Sequence, residues 1–187
     1  FWAKRLGTVS VSMIVAGKLI EYLDNGKFVC ALVMESQPKR LRLINQNGRE
    51  VNLPISRVIH CSNHTHPTGA SRDSLTKQLL ETTEKRCSLM KAVNLQEIWE
   101  LITEDGSHSF APAFLAELTF GEVANDDSIS AFLRCVFEDK LYFKYKEGLI
   151  LANSPEKVEQ LQIQSTKEEK RQQLIEEGTA FITKVLK

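Results

Sequence analysis

The chain has 187 residues, 24 basic and 24 acidic side chains, a formal charge of zero and 42% hydrophobic residues. That length allows one domain or two small ones, and the composition is that of an ordinary globular protein. No run comes near the ~20 apolar residues that a membrane helix needs, and the first dozen residues lack the apolar core and small-residue cleavage site of an export signal, so a cytoplasmic protein without a membrane partner is expected.

The chain starts at Phe1, and Met13 opens a clean segment. Residues 1–12 are read as preceding the native start and are left out of the fold reading. From 13 to 60 short apolar or β-branched runs alternate with turn signals. The run Val15 to Leu23 ends in Asp24-Asn25-Gly26, a hairpin signal. Phe28 to Met34 is apolar on both faces, which predicts a central strand. Arg40 to Asn45 sets Leu41 and Leu43 against Arg40 and Arg42, and Asn47-Gly48 marks a second tight turn. Val51 to Leu53 and Val58 to His60 complete five short strands, the pattern of a small SH3-like β-barrel.

Residues 61–93 read as a loop followed by a helical spacer. Cys61 to Ala70 is loop-like in composition, and a helix is predicted from about Ser71 to Met90. Its stripe of Leu75, Leu79, Thr82 or Thr83, and Leu89 is ragged. Residues 94–153 then read as a winged helix. Leu95, Ile98, Trp99, Leu101 and Ile102 share one face of a first helix that Gly106 and Ser107 end. A second helix starts at Ser109 or Phe110, carries Phe114, Leu115, Leu118 and Phe120, and stops at Gly121. Asp126 or Asp127 caps a third, in which Ile129, Phe132, Leu133, Val136 and Phe137 repeat with helical period. Trp99, Phe114, Phe132 and Phe137 are expected in the core. Leu141 to Tyr145 and Leu149 to Leu151 around Glu147-Gly148 form the wing. Ser154-Pro155-Glu156 opens a last helix over residues 154–187, with Val158, Leu161, Leu174, Phe181 and Val185 as its apolar members. Its length, charge and lack of a stop signal suggest a lead into a missing domain. The expected class is thus α+β.

The zero net charge hides an asymmetry. Residues 1–60 hold nine basic and four acidic side chains, and residues 61–92 hold five and three. Residues 93–153 hold four and eleven, a balance of −7. A winged helix that reads DNA needs cations for phosphates, so the pattern and its charge disagree.

The nucleic-acid candidates are therefore Lys27, Lys39, Arg40, Arg42, Arg49 and Arg57 of the barrel, with Tyr22 and Phe28 beside the first hairpin placed to stack, although Phe28 is rather expected to fill the core. On the third helix Ser128, Ser130, Ala131 and Arg134 would face a groove, and Lys144 and Lys146 sit on the wing. These make Arg134, Lys144 and Lys146 weaker candidates. The string His60-Cys61-x-x-His64-x-His66 crowds four candidate ligands into one short stretch without a second ligand pair, so no metal site is expected. Cys30, Cys61, Cys87 and Cys135 are scattered and read as reduced thiols, mostly buried. No nucleophile elbow, P-loop or dinucleotide glycine motif is present, so no catalytic residue is assigned.

Several local strings resemble the N-terminal region of ribonuclease II-family (RNB) exoribonucleases. They are Gly17-Lys-Leu-Ile-Glu-Tyr, Ile98-Trp-Glu-Leu-Ile, Leu115-Ala-Glu-Leu-Thr-Phe-Gly, Leu141-Tyr-Phe-Lys and Asn153-Ser-Pro-Glu-Lys-Val-Glu-Gln-Leu. The resemblance covers roughly residues 13–187. It implies that a cold-shock-like domain and an RNB catalytic domain follow, the latter holding magnesium with clustered aspartates and degrading RNA from the 3′ end. None of those aspartates matches a position here, so no cofactor is expected in this chain. The expected partners are RNA, held weakly through the barrel, and the missing domains of the same protein. Two other readings stay open: a winged-helix transcription regulator on DNA, and a non-enzymatic adaptor whose barrel binds a protein tail in a groove lined by Tyr22.

Overall fold

The computed structural model describes residues 14–103, 108–121 and 123–185, with side chains described as far as Thr179. Residues 1–12, the Gly106-Ser107 stop and the side chains of Phe181 and Val185 lie outside what is described.

Strands β1 (Lys18–Asp24) and β2 (Lys27–Ser36) form a hairpin whose two central residues, Asn25 and Gly26, both have positive φ, 49° and 77°. This is the backbone that suits a right-twisted pair, and Asn-Gly adopts it readily. Strands β3 (Arg40–Asn45), β4 (Glu50–Pro54) and β5 (His60–Thr65) complete an antiparallel sheet in the order β4-β3-β2-β1-β5. The strand read as Phe28 to Met34 is indeed the middle one. The sheet buries both faces. Ile20, Tyr22, Val29, Ala31, Val33, Leu41, Leu43 and Leu53 form one cluster. On the opposite face Leu19, Cys30, Leu32 and Ile44 pack against Leu75 and Leu79 of helix α1 (Arg72–Met90).

Two expectations change here. Among the described residues β4 and β5 do not pair, so the ladder is open and no closed barrel forms. A 3-10 turn at Ile55–Arg57 carries the chain from one edge to the other, and α1 supplies the cover that closure would otherwise give. The fifth strand also lies later than expected, in residues assigned to a loop. Its polar side chains hid it. Ser62 is buried, and its hydroxyl accepts from the Leu19 amide at 3.0 Å and donates to the His64 carbonyl at 2.9 Å.

Helix α1 starts at an N-cap, Ser71, whose side chain accepts from the Ser74 amide. Then come α2 (Leu95–Thr103), β6 (Ser109–Phe110), α3 (Pro112–Phe120), α4 (Asp126–Glu138), β7 (Phe143–Lys146) and β8 (Leu149–Ala152), with a three-stranded sheet in the order β6-β8-β7. Residues 109–110 form a strand against β8, so α3 begins at Pro112, not at Ser109 or Phe110. Asn125 caps α4 in place of Asp126 or Asp127, through a reciprocal box with Ser128. Gly121 ends α3 in the left-handed conformation. The core of this part is Ile98, Ile102, Leu115, Phe132, Leu133, Val136, Phe143 and Ile150. Phe132 is fully buried, Trp99 and Phe137 pack at the core's margin, and Phe114 is exposed, as is Leu101.

The last helix, α5 (Pro155–Val185), leaves the wing through Asn153. The Asn153 carbonyl accepts from Trp99 Nε1 at 2.7 Å, and its amide side chain donates to the Leu141 carbonyl at 2.6 Å. Val158 is buried, and beyond Leu161 every described side chain of α5 is exposed. None of the described helices is long and apolar enough to cross a membrane.

Candidate functional site

Alternation along β1 places Ile20 and Tyr22 in one cluster and turns Leu19 and Glu21 toward α1. On α1 the buried positions are Leu75, Leu79 and Arg86, a helical stripe that ends in a charge. Helix α4 lies across both. It turns Phe132, Leu133 and Val136 into the winged-helix core, and Ser130 and Arg134, one turn apart, toward β1 and α1.

At this junction Glu21 is 0% exposed and Arg86 is 1% exposed. Arg134 Nε donates to Glu21 Oε1 at 3.2 Å, its Nη2 donates to the same oxygen, and the Ser130 hydroxyl donates to Glu21 Oε2. Arg86 Nη1 lies 3.1 Å from Glu21 Oε2 but off the hydrogen-bond direction, so that contact is Coulombic. Arg86 Nε donates to Asp127 Oδ1 at 2.9 Å, and Lys85 Nζ reaches Asp127 Oδ2 at 2.6 Å. Phe28 of β2 completes the wall. Its ring meets Phe137 edge-on at 5.2 Å, with the Arg134 guanidinium 5.2 Å from its centroid.

Burial alone pushes the Glu21 carboxyl up, but Arg86 and Arg134, helped by His60 and Ser130, hold it below the usual carboxylate value. Burial acts against the charged form of Arg86, and Glu21 and Asp127 override it, so its affinity for a proton rises. Asp127 is likewise held low by Lys85 and Arg86 against its burial. Next to Glu21 across the sheet is His60, whose Nε2 is buried without a hydrogen-bond partner. Burial pushes its proton affinity down more than Glu21 restores it. A second contact ties the start of α4 to β5: the Asn63 amide donates to both oxygens of Asp126 at 2.9 and 3.0 Å, and His64 Nδ1 lies 3.2 Å from Oδ2.

The predicted site residues divide accordingly. Lys27, Lys39, Arg40 and Arg49 are exposed and have no ion-pair partner among the described residues. Arg42 faces Glu35 at 3.7 Å across a half-exposed pair. Arg57 is exposed, donates to the Leu23 carbonyl at 2.6 Å and stands 5.9 Å from the Tyr22 ring centroid. Lys144 and Lys146 are exposed on β7. Arg134 is buried, and so are Ser128, Ser130 and Ala131. The face of α4 expected to meet a groove is therefore occupied by the protein itself. Tyr22 is core, not a stacking platform or the wall of a groove, and Phe28 packs against α4.

The 60–66 string does not converge. His60 is buried beside Glu21, His64 faces Asp126, and His66 Nδ1 meets Gln78 Nε2 at 2.9 Å. Among the described residues no three His, Cys, Asp or Glu side chains are placed to hold a metal. The four cysteines are free; Cys30 is buried, Cys61 and Cys135 are half-buried, and Cys87 is exposed. Burial pushes the Cys30 thiol up to about 12 and Cys135 to about 11, so neither is an activated nucleophile.

Sequence reasoning missed Glu21, Arg86, Asp127 and His60 as a group. Two of them did leave a signal. Glu21 interrupts an apolar strand, and Arg86 falls in phase with Leu75 and Leu79, positions where an unpaired charge is not tolerated.

The family model described as the ribonuclease II winged helix domain matches residues 81–156. Over this stretch the chain is similar to the winged helix domain of the ribonuclease II family. A relative from Synechocystis sp. (strain ATCC 27184 / PCC 6803 / Kazusa), named as an uncharacterized ribonuclease, is 30% identical over 166 residues. The alignment takes in 86% of this chain and 23% of that relative, so the chain spans about a quarter of the relative's length. No solved structure matches. The ribonuclease II match begins inside α1 and ends at the start of α5, so it includes Arg86, Asp127, Ser130 and Arg134 but not Glu21.

Proposed function

We propose that this chain is an accessory, RNA-admitting and scaffolding region of a 3′→5′ exoribonuclease whose catalytic domain lies elsewhere in the protein. The observation that carries this reading is the burial of the third winged-helix face on Glu21 and Arg86. A helix enclosed between its own core and a neighbouring sheet is not free to enter a DNA groove. The same contact makes the winged helix and the sheet one platform. The residues left to meet a phosphate backbone are the exposed cations of the sheet, Lys27, Lys39, Arg40, Arg42, Arg49 and Arg57, a meander we read as SH3-like despite its open edge. Magnesium and the hydrolytic chemistry belong to the catalytic domain that the family resemblance implies. The transcription-regulator reading needs Arg134 exposed, and the adaptor reading needs a groove at Tyr22. Both residues are buried.

The test is titration of the 187-residue chain with fluorescent single-stranded RNA and with duplex DNA at two salt concentrations. RNA binding is expected to be weak and to fall as salt rises. Reversing Lys39, Arg40 and Arg42 to Glu is expected to weaken it about tenfold, and reversing Lys144 and Lys146 about twofold or less. Duplex binding lost with Lys144 and Lys146 would overturn the reading. So would processive, magnesium-dependent shortening of RNA by the pure chain.

A further inference from the structure

Helices α2 and α3 carry a feature that neither the core nor the α4 junction uses. Of nine large hydrophobic side chains exposed among the described residues, four fall between residues 101 and 123: Leu101 at 55%, Phe114 at 45%, Val123 at 86%, and Leu118. Phe114 and Leu118 are one turn apart on the outer face of α3, and Phe114 stacks on Phe110 with centroids 6.0 Å apart. Scattered exposed leucines are ordinary, whereas a stacked aromatic pair continued by a leucine along one helix is a contact surface in waiting.

The sequence that forms these two helices carries charge of one sign. From residue 92 to residue 133 the sequence contains no Lys or Arg and eight acidic residues. Asp126 and Asp127 are engaged with β5 and α1. Glu97, Glu100 and Glu117 are exposed and have no ion-pair partner among the described residues. Glu97 lies one turn before Leu101, and Glu117 lies between Phe114 and Leu118, so carboxylates flank the apolar side chains on both helices.

We propose that the outer face of α2 and α3 docks a basic, amphipathic protein segment, one that sets Lys or Arg against Glu97, Glu100 and Glu117 and an apolar side chain against Phe114 and Leu118. The charge selects this occupant. A nucleic acid or an anionic membrane is repelled by carboxylates outside any ion pair, and a purely apolar partner desolvates them without supplying a cation. An amphipathic basic helix laid along the face satisfies both requirements. This inference rests on the reading that the winged helix is a protein-facing rather than a nucleic-acid-facing module.

The probe is a fluorescein-labelled helical peptide of Leu and Lys with amphipathic spacing, titrated by anisotropy into the full 187-residue chain. Two controls accompany it: a Ser/Lys peptide with the same charge, and a Leu/Glu peptide. The Leu/Lys peptide is expected to bind best. Its affinity should fall at least about tenfold in the double variant Phe114→Ser/Leu118→Ser and by a similar factor in the triple variant Glu97→Gln/Glu100→Gln/Glu117→Gln. All five positions are exposed, so circular dichroism and the thermal midpoint should stay at wild-type values in the triple variant, which keeps the test open if the double variant misfolds.

Equal binding of the Ser/Lys peptide, or unchanged affinity in both variants, overturns the proposal. So does self-association of the chain by sedimentation that the same substitutions abolish, because the occupant is then a second copy. RNA titration of the two variants separates the outcomes. Peptide binding that fails while RNA binding still depends on the sheet cations sinks this inference alone. RNA binding that depends on Phe114 and Leu118 sinks the reading beneath it.

Discussion

In the N-terminal sheet Lys39, Arg40 and Arg49 stand in solvent, whereas Arg134, the one arginine of residues 94–153, is sealed against a carboxylate from that sheet. The first region holds its cations at the surface, with Arg42 facing Glu35 and with Lys39, Arg40 and Arg49 outside any ion pair among the described residues. The second holds its carboxylates there and sends its arginine inward. Net charge per segment therefore says little about which charges a partner can reach. The −7 of residues 93–153 is not its surface charge, because Arg134 is buried and Asp126 and Asp127 are engaged with β5 and α1.

The comparison breaks most visibly at Arg86. Arg86→Met leaves Glu21 buried with one guanidinium in place of two, and the expected loss is about 3–5 kcal/mol in urea denaturation. Replacing Glu21, Arg86 and Arg134 together by apolar residues should recover much of that loss, because no buried charge of the trio is then left without a partner. A triple variant as unstable as the single one would show that the three groups are not coupled.

Acid sharpens the contrast next. His60 is buried in its neutral form with its proton affinity lowered from the ordinary value of 6.5. The unfolded chain then binds a proton that the folded chain refuses, so stability falls as pH drops below about 6.5. The groups facing His60 set its size: Glu21 and Asp126 favour the charged form and Arg86 opposes it. Glu21 is held below its ordinary value of 4.5, so its contribution is complete above that pH and is lost as pH falls through the folded value. Urea midpoints across pH should show two stages of loss. His60→Asn is expected to remove the first and Glu21→Gln to flatten the second. A single stage in the His60→Asn protein and the wild type alike would contradict the assignment.

The smallest effect is expected at the exposed end of the same interface. His64 pairs with Asp126 but its side chain is 85% exposed. His64→Ala should therefore change stability by less than about 0.5 kcal/mol, since surface pairs contribute little. Asp126 keeps the Asn63 amide in either case.

Much of the architecture was readable from local signals. Asn25-Gly26 and Glu147-Gly148 announced their hairpins, Ser71 its helix, and the period of Ile129 to Phe137 the inner side of α4. What escaped is long-range. The strand His60–Thr65 is polar because Ser62 bonds its neighbours and Asn63, His64 and Thr65 are exposed, not because it is a loop. Ser130 and Arg134 looked like a solvent-facing stripe because the group that covers them lies more than a hundred residues away. A helix that is buried on two sides by two different parts of the chain shows only one of them in its hydrophobic period. The site cations of the sheet were legible as exposed positions, and their role awaits the RNA titration.

The hydrogen bonds at Asn153 have a mechanical side. They fasten the root of α5 to α2 and to the start of the wing, Val158 packs down beside them, and the described side chains beyond Leu161 are exposed. With 31 residues at 1.5 Å each, α5 is about 46 Å long. It behaves as a beam clamped at one end. A tilt of about 10° at Asn153 carries its far end about 8 Å sideways, so two hydrogen bonds and one tryptophan set the bearing of whatever this helix holds.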